Sequence, residues 1–176
     1  MKPGTFPSRD GYSLIELLLV IAIIAIVAAI AIPGLMRARV AANEGSAIAS
    51  VRTISSAQAT FASSCGGGGY AQSLTDLGRA PMGDVPFLPP DLAGGRKAGY
   101  DFAVQGTGQS VAAAADTCNG AADDTNSAFL AVGNPTTDGD SGVRAFGMDT
   151  GGVLRSTNAA AGITDIASYS AAPILD

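Results

Sequence analysis

The dominant pattern along this chain is an apolar run near the N-terminus, from Leu17 to Met36, that contains no charged residue. Within it, residues 17–32 are exclusively Leu, Ile, Val and Ala. Such a run predicts a helix, and at about 1.5 Å per residue its length of about 30 Å equals the thickness of a bilayer's hydrocarbon core. We therefore expect this part of the chain to enter a membrane for at least part of its life.

Farther along, the pattern becomes that of an amphipathic helix. Apolar residues recur at steps of three and four with polar residues between them, and this stripe consists of Ile48, Val51, Ile54, Ala57 and Phe61. We expect the stripe to face a sheet. Cys65 and the four glycines at 66–69 predict the end of the helix.

Pro33 and Gly34 stand between the two helical patterns. Because proline lacks a backbone N–H and its ring clashes with the preceding turn, the pair predicts a kink or local unwinding. From Tyr12 to Ser64 the whole helix would measure on the order of 80 Å. Its first half has nothing of its own chain to pack on, and an exposed apolar surface of that size is typical of an assembly interface.

The remaining residues, 65–176, are rich in Gly, Ala, Ser, Thr and Asp and contain short strand-like segments. Residues 70–90 predict a loop with one short helical turn at 73–77. Four strand candidates follow, at 99–104, 128–132, 143–148 and 152–155. Asp149-Thr150-Gly151 predicts a hairpin turn between the last two. We expect a small antiparallel sheet of three to four strands lying on the amphipathic helix, which is an α+β fold.

The composition excludes several classes of function. The ten basic residues are scattered among fifteen acidic ones, and the net charge of −5 argues against nucleic-acid binding, which requires a dense Lys/Arg face. The chain contains no histidine, which excludes His-dependent Ser and Cys nucleophiles and His-ligated metal sites. The composition leaves Lys and carboxylate chemistry open. No motif points to either, and we predict no catalytic residue, no cofactor and no enzymatic activity.

Asp138, Asp140 and Asp149 raise the question of a calcium loop. An EF-hand requires glycine at the sixth position of the loop, and this chain has Val143 there. We therefore interpret these carboxylates as solvated loop acids and expect no metal site.

Two cysteines, Cys65 and Cys118, allow one disulfide if the domain lies outside the cytosol. Their spacing alone leaves two options open, a bridge or two separate thiols. A bridge would close a loop of about 54 residues and stabilise the fold by about 4 kcal/mol in the chain-entropy model. We expect the bridge.

The apolar run begins beside a lone carboxylate, Glu16, and follows a short polar segment, residues 1–11. A charge in lipid is costly, so a chain that keeps one there is expected to use it. Lys2 and Arg9 favour a cytoplasmic location for this end. A secretory signal peptide has a shorter apolar core, of about 7–15 residues, than the run seen here. A plain membrane anchor fits the length but gives Glu16 no role.

A third interpretation comes from a resemblance. The segment G-Y-S-L-I-E and the apolar run that continues to Pro33 resemble the N-terminal signature of type IV prepilins and of the pseudopilins of type II secretion. The resemblance implies that a prepilin peptidase cuts between Gly11 and Tyr12 and then N-methylates Tyr12. Most relatives have Phe at that position. Many major pilins also have a glycine where this chain has Ala25, so unwinding of the helix should be harder here.

The resemblance also implies that Glu16 pairs with the N-terminal amine of a neighbouring subunit during assembly. Cleavage would leave eight basic and fourteen acidic residues, a net charge of −6, and would create a positive amine four residues before Glu16. In a low-dielectric environment an opposite charge stabilises a carboxylate. Glu16 would then set the register, as a single buried polar residue does in coiled coils. The alternative is a glutamate that merely extends to the membrane surface.

The implied architecture is the pilin fold, in which a long N-terminal helix has a protruding hydrophobic half and packs through its C-terminal half on the small sheet. The expected organisation is a leader peptide at 1–11, a helix at 12–64 with a membrane and assembly half at 12–36 and an amphipathic half at 37–64, and a globular domain at 65–176. The segment A-F-G-M-D-T-G-G-V-L-R is also similar to pilin-type globular domains.

The implied function is that of a structural subunit of a type IV pilus. A pseudopilin of a type II secretion system is the nearest alternative, and a bitopic membrane-anchored binding domain is another. The expected partners are prepilin peptidase, other copies of the chain in a helical filament, minor pilins, the inner-membrane assembly platform and, before assembly, membrane lipid. The expected location is the bacterial inner membrane, with the C-terminal domain in the periplasm, and then the cell-surface pilus.

Overall fold

The computed structural model describes residues 12–82 and 85–175. The chain divides into two compact units, Met1–Ala38 and Arg39–Asp176. The helices are α1 (Leu14–Ser64), α2 (Leu74–Gly78), α3 (Pro90–Ala93) and α4 (Ile166–Ala171), with one 3-10 turn at Ala114–Asp116. The strands are β1 (Arg96–Lys97), β2 (Tyr100–Ala112), β3 (Thr125–Pro135), β4 (Arg144–Asp149) and β5 (Leu154–Asn158).

The first unit consists, in its described part, of the N-terminal portion of α1 and the two residues that precede it. Its side chains are exposed from Tyr12 to Ala38, except for a half-buried Ala28. Among the described residues, α1 is the one helix long and apolar enough to cross a membrane. The helix continues without interruption through Pro33, so the local unwinding predicted there is absent. The helix continues because proline removes only one N–H and leaves the other helical hydrogen bonds in place. The kink predicted at Pro33 and Gly34 stays a prediction.

The second unit is built on an antiparallel sheet with the strand order β1-β2-β3-β4-β5. All four predicted strands overlap observed ones, and the predicted hairpin joins β4 to β5, where Met148 pairs with Leu154. The expected α+β fold is confirmed, but the sheet has five strands instead of three to four. The additional strand is β1, whose two residues pair with the first two of β2. Two charged residues carry no apolar alternation that could reveal a strand.

One face of the sheet packs against α1, as the amphipathic pattern predicts. The predicted stripe is largely correct, although Ile48 is only partly buried and Ala47 takes the innermost position at that level. The buried apolar side chains of α1 are Ala47, Val51, Ile54, Ala57 and Phe61, and those of the sheet are Tyr100, Phe102, Val104, Phe129, Ala131, Phe146, Met148 and Leu154. Burial of these groups is the main source of stability for the second unit.

The opposite face of the sheet is covered by the C-terminal segment. A second apolar cluster there consists of Leu130, Val132, Ala145, Ile163, Tyr169 and Ala172. The side-chain amide of Asn134 holds this segment in place, because it donates to the carbonyl oxygen of Ile163 at 3.0 Å and accepts from the Ile163 N–H at 2.9 Å. The central strands β3 and β4 are therefore buried on both faces around this cluster, whereas Ala103 of β2 stays exposed.

The turn between β1 and β2 places an alanine in the left-handed region of backbone conformation. Ala98 has φ +48° and Gly99 has φ +75°. This conformation costs a residue with a Cβ roughly 1–2 kcal/mol, whereas asparagine tolerates it. We predict that Ala98→Asn raises the free energy of unfolding by about 0.5–1 kcal/mol. Urea unfolding of the full-length protein in detergent measures this, with Ala160→Asn as a control at an exposed loop alanine that lacks a positive φ.

Candidate functional site: an unpartnered apolar helix

The candidate site begins at the N-terminal end of α1. The carbonyl oxygen of Ser13 accepts hydrogen bonds from the N–H of Glu16 at 3.1 Å and of Leu17 at 3.2 Å, and these start the helix. Tyr12 precedes the helix and is exposed. Gly11, on the other side of the predicted cleavage site, lies outside the described residues. Cleavage before Tyr12 and its methylation therefore stay predictions.

Glu16 lies in the first turn of α1 with its side chain in solvent. In the part of the chain that the structure describes, no cation lies within ion-pair distance of this carboxylate. The positive end of the helix dipole offers it modest stabilisation, which acts within the first turn. An environment of lipid or other helices would therefore leave most of its charge without compensation, unless a cation from another molecule approached.

The helix beyond Glu16 is apolar on every side. Its large exposed side chains, which continue the exposed Leu14 and Ile15 before Glu16, are Leu17, Leu18, Leu19, Val20, Ile21, Ile23, Ile24, Ile26, Val27, Ile30, Ile32, Leu35 and Met36. No part of the most apolar 18-residue window of α1 is buried within the chain. A soluble helix would show one polar face, so this surface belongs against lipid or against other helices.

An ion pair between a buried carboxylate and an exposed guanidinium fixes the next part of α1 to the sheet. The Oε2 atom of Glu44 accepts from Nη2 of Arg144 at 2.7 Å and from Nε at 3.0 Å, and Oε1 accepts from the Val143 N–H at 3.0 Å. The side chain of Glu44 is only 8% exposed. The guanidinium of Arg144 also lies 5.5 Å from the ring centroid of Phe146. Two guanidinium N–H groups thus converge on one carboxylate oxygen while the other oxygen binds the backbone, and these charge-assisted contacts set the height and the rotation of the helix against the start of β4.

Glu44 is a functional residue that was not predicted from the sequence. The available signal was its position, because Glu44 lies three residues before Ala47 and seven before Val51, on the buried stripe. A charged residue on an apolar stripe requires a partner, but the partner is 100 residues away in the chain. Its identity follows only from the folded structure.

Tyr100 lies beside this ion pair. Its hydroxyl donates to the carbonyl oxygen of Arg144 at 2.8 Å. Burial raises the pKa of Tyr100 to about 12, and the negative charge of Glu44 acts in the same direction while Arg144 lowers it. The folded protein therefore stabilises the neutral form of the Tyr100 phenol.

Raising the pH should destabilise the second unit through Tyr100. The folded-state pKa lies above the ordinary value of 10.0, so this contribution to stability is complete below pH 10 and is lost as the pH approaches about 12. We predict that the free energy of unfolding falls less in Tyr100→Phe than in the wild type when the pH is raised from 10 to about 12. Urea unfolding at both ends of the interval measures the difference, and equal losses in the two proteins would contradict the prediction.

A glutamine and a disulfide complete the attachment of α1. The amide of the fully buried Gln58 donates to the Ala71 carbonyl oxygen at 2.7 Å and accepts from the Ala71 N–H at 2.8 Å. Cys65, directly after the helix, forms a disulfide with Cys118, as expected, with an S–S distance of 2.03 Å. Together these contacts bind the last turns of α1 to two separate loops.

The loop that carries Cys118 is also held by a buried carboxylate. Asp76, in α2, is fully buried, and its Oδ1 accepts from the Ala122 N–H at 2.7 Å. Asn119 donates to the Asp76 carbonyl oxygen at 2.7 Å. An open cleft of about 400 Å³ lies beside the disulfide and is lined by Thr60, Ser64, Pro81, Val85, Pro86, Phe87 and Cys118. None of these lining side chains is an acid or a base, so the cleft offers no acid–base chemistry.

The carboxylates that raised the question of a calcium loop do not converge. Asp138 and Asp140 are exposed in the β3–β4 loop. Within residues 12–82 and 85–175 the structure places no three His, Cys, Asp or Glu side chains together as a metal site would require. The chemically notable group of the candidate site is therefore Glu16 on its apolar helix.

Comparison with known proteins identifies the N-terminal segment. Residues 7–32 match the family model described as the prokaryotic N-terminal methylation motif, which is the signature of type IV pilins and pseudopilins. The match covers Tyr12, Glu16 and most of the apolar run, and none of the second unit. No curated protein and no solved structure matches the chain. The motif and the pilin-like architecture indicate a structural subunit.

Proposed function

We propose that this chain, which carries the type IV pilin and pseudopilin signature, is a structural subunit of a type IV pilus. The observation that carries the proposal is a membrane-length helix that begins inside the methylation motif and whose most apolar 18-residue window is unburied in its own chain. Such a surface leaves water in two ways, by entering lipid or by packing against other helices. A pilus subunit places this surface in lipid before assembly and packs it against other helices after assembly.

The first stage places the precursor in the inner membrane. The leader, residues 1–11, stays in the cytoplasm because of Lys2 and Arg9. The apolar run spans the bilayer, and the second unit lies in the periplasm. A disulfide between Cys65 and Cys118 suits that oxidising compartment. Prepilin peptidase then cuts between Gly11 and Tyr12 and N-methylates Tyr12.

The second stage transfers the helix from lipid to the filament core. Lipid tails are as apolar as the side chains of α1, so the transfer has little hydrophobic driving force. The unpaired Glu16 supplies the missing specificity, because it is stabilised when the positive amine of a neighbouring Tyr12 approaches. The pairing also sets the axial register between neighbouring copies. Minor pilins and the inner-membrane platform would start and drive the assembly.

The globular unit then forms the filament surface. The Glu44–Arg144 ion pair, the Gln58 amide contacts and the disulfide at Cys65 attach it to α1 at three levels. These attachments fix the C-terminal half of α1 within the globular unit. The adhesive or mechanical task of the filament would depend on the exposed loops.

Mass spectrometry of the mature N-terminus tests the proposal. We expect a chain that begins at Tyr12 and carries one additional methyl group. A chain that still begins at Met1, or a terminus without the methyl group, would instead support a bitopic membrane-anchored domain.

Deletion of the gene distinguishes the two filament types. We expect the deletion to remove surface filaments that electron microscopy detects in the parent strain. A deletion that instead blocks the release of secreted proteins, in a strain without surface filaments, would identify the chain as a pseudopilin.

A further inference from the structure

The basic side chains of α1 differ from the other basic side chains of the described residues in whether they contact an oxygen atom. In residues 12–82 and 85–175, the other basic side chains contact a carboxylate or a carbonyl oxygen: Arg79, Arg96, Lys97, Arg144 and Arg155. The cations that make no such contact in this part of the chain are Arg37, Arg39 and Arg52, and all three are exposed. The unpaired positive charge of the described chain is therefore concentrated on the helix.

An acidic loop of the second unit is fixed to the same helix. This loop joins β3 to β4 and presents Asp138 and Asp140, both exposed. The Asn43 side chain donates to the Ser141 carbonyl oxygen at 3.0 Å, and the Glu44 carboxylate accepts from the Val143 N–H at 3.0 Å. The loop is thus held at the level of residues 43–44 of α1.

The proposed pairing of Glu16 defines how far neighbouring copies are displaced. If Glu16 of one copy lies beside the amine of Tyr12 in the next, the displacement along α1 is four residues, about 6 Å. In a filament with a single repeat, every level of the helix has this same displacement. Residue 43 of one copy therefore lies level with residue 39 of its neighbour. The acidic loop attached at Asn43 arrives at the level of the neighbour's Arg39.

We propose that Asp138 and Asp140 of one copy bind Arg39 of the next copy, as a second contact in the same register as the Glu16 pair. This inference rests on the proposed filament function. Arg39 is exposed, so its guanidinium is accessible to a second copy. Opposite charges on the two surfaces select the correct neighbour and register, and the contact is weakened by salt.

The same loop does not neutralise its own Arg39. Arg39 and Asn43 are four residues apart and so share one face of the helix. Even so, no carboxylate oxygen lies within 4.0 Å of the Arg39 guanidinium in the described part of the chain. The cation and the acidic loop are both available to a second copy.

Charge reversal tests the contact in cells that assemble the full-length protein. We expect Arg39→Glu alone, and Asp138→Arg with Asp140→Arg, each to reduce sedimentable surface filaments by about tenfold, because an attractive contact becomes a like-charge one. Arg52→Glu and the pair Asp116→Arg with Asp123→Arg change the charge equally at other exposed positions and should assemble normally. Normal assembly of the Arg39 or loop variants would overturn the proposal.

Co-expression of the two defective variants separates a contact between copies from one within a copy. In an alternating filament, the glutamate introduced by Arg39→Glu in one variant meets the arginines introduced in the loop of the other, and the remaining contacts have the wild-type charges. We therefore expect co-expression to restore filaments. Restoration only when all three substitutions are in one chain would show a contact within a copy and overturn the proposal.

Two further readouts distinguish this inference from the proposed function and from lipid binding. A wild-type chain that forms no filaments, or whose terminus is not processed at Tyr12, would remove the proposed function itself. The pool of cleaved, membrane-inserted subunit should be the same in Arg39→Glu and the wild type. A smaller pool would assign Arg39 to the lipid headgroups and overturn the contact with a second copy.

Discussion

Glu16→Val is expected to abolish filament assembly while leaving cleavage at Gly11 and Tyr12 intact. The side chain is exposed and has no partner in the described part of the chain, so its loss should not disturb the fold. In an assembled filament, however, valine leaves the neighbour's amine unpaired in an apolar surround. Removing one partner of a buried ion pair costs roughly 3–5 kcal/mol, and the cost recurs at every subunit.

The measurement compares the sheared cell-surface fraction with the membrane fraction by immunoblot, together with mass spectrometry of the N-terminus. Glu16→Gln is the informative second variant, because it preserves size and hydrogen bonding and removes only the charge. We expect it to assemble poorly as well. Ile15→Val changes a neighbouring residue without altering charge and should assemble normally. Normal filaments from Glu16→Val would refute the assembly role of the carboxylate.

The second large effect concerns the disulfide. We expect replacement of both Cys65 and Cys118 by serine to lower the free energy of unfolding by about 4 kcal/mol, because the bridge joins residues far apart in the chain. Their sequence separation is 53 residues. The bridge also ties the loop after Cys118 to the end of α1. The Ala122 N–H of this loop donates to the Asp76 carboxylate in α2. Urea unfolding of the full-length protein in detergent gives the difference directly.

Reductant provides the matched control for this prediction. Addition of a thiol reductant should lower the unfolding midpoint of the wild type toward that of the double variant, and should leave the variant unchanged. Equal midpoints for the oxidised wild type and the variant would show that the bridge adds no stability.

The parts of the fold that local pattern determines could be predicted from the sequence. The apolar run and the stripe from Val51 to Phe61 specify α1, and the glycines after Cys65 specify its end. The second half of β2 could not be predicted, because residues 105–112 are mostly polar or glycine and form a strand only by pairing with β3. The C-terminal segment with α4 could not be predicted for a similar reason, because its position depends on packing against the face of the sheet opposite α1.

The functional residues also differ in whether the sequence alone reveals them. Tyr12 and Glu16 could be recognised because the motif is contiguous. Glu44, Gln58 and Asn134 could not, because each is a polar residue whose partner comes from a distant segment. Their roles depend on tertiary contacts that no local pattern encodes.

The continuity of α1 has a mechanical consequence. A pull on the apolar segment would reach the globular unit through one uninterrupted helix, with no loop in which slack could accumulate. The load would be shared by Glu44, by the buried stripe that ends at Phe61, and by the covalent bridge of Cys65. These attachments lie in sequence along one helix and would be sheared together instead of being peeled apart singly. A filament built from such subunits would resist traction through the length of its helices.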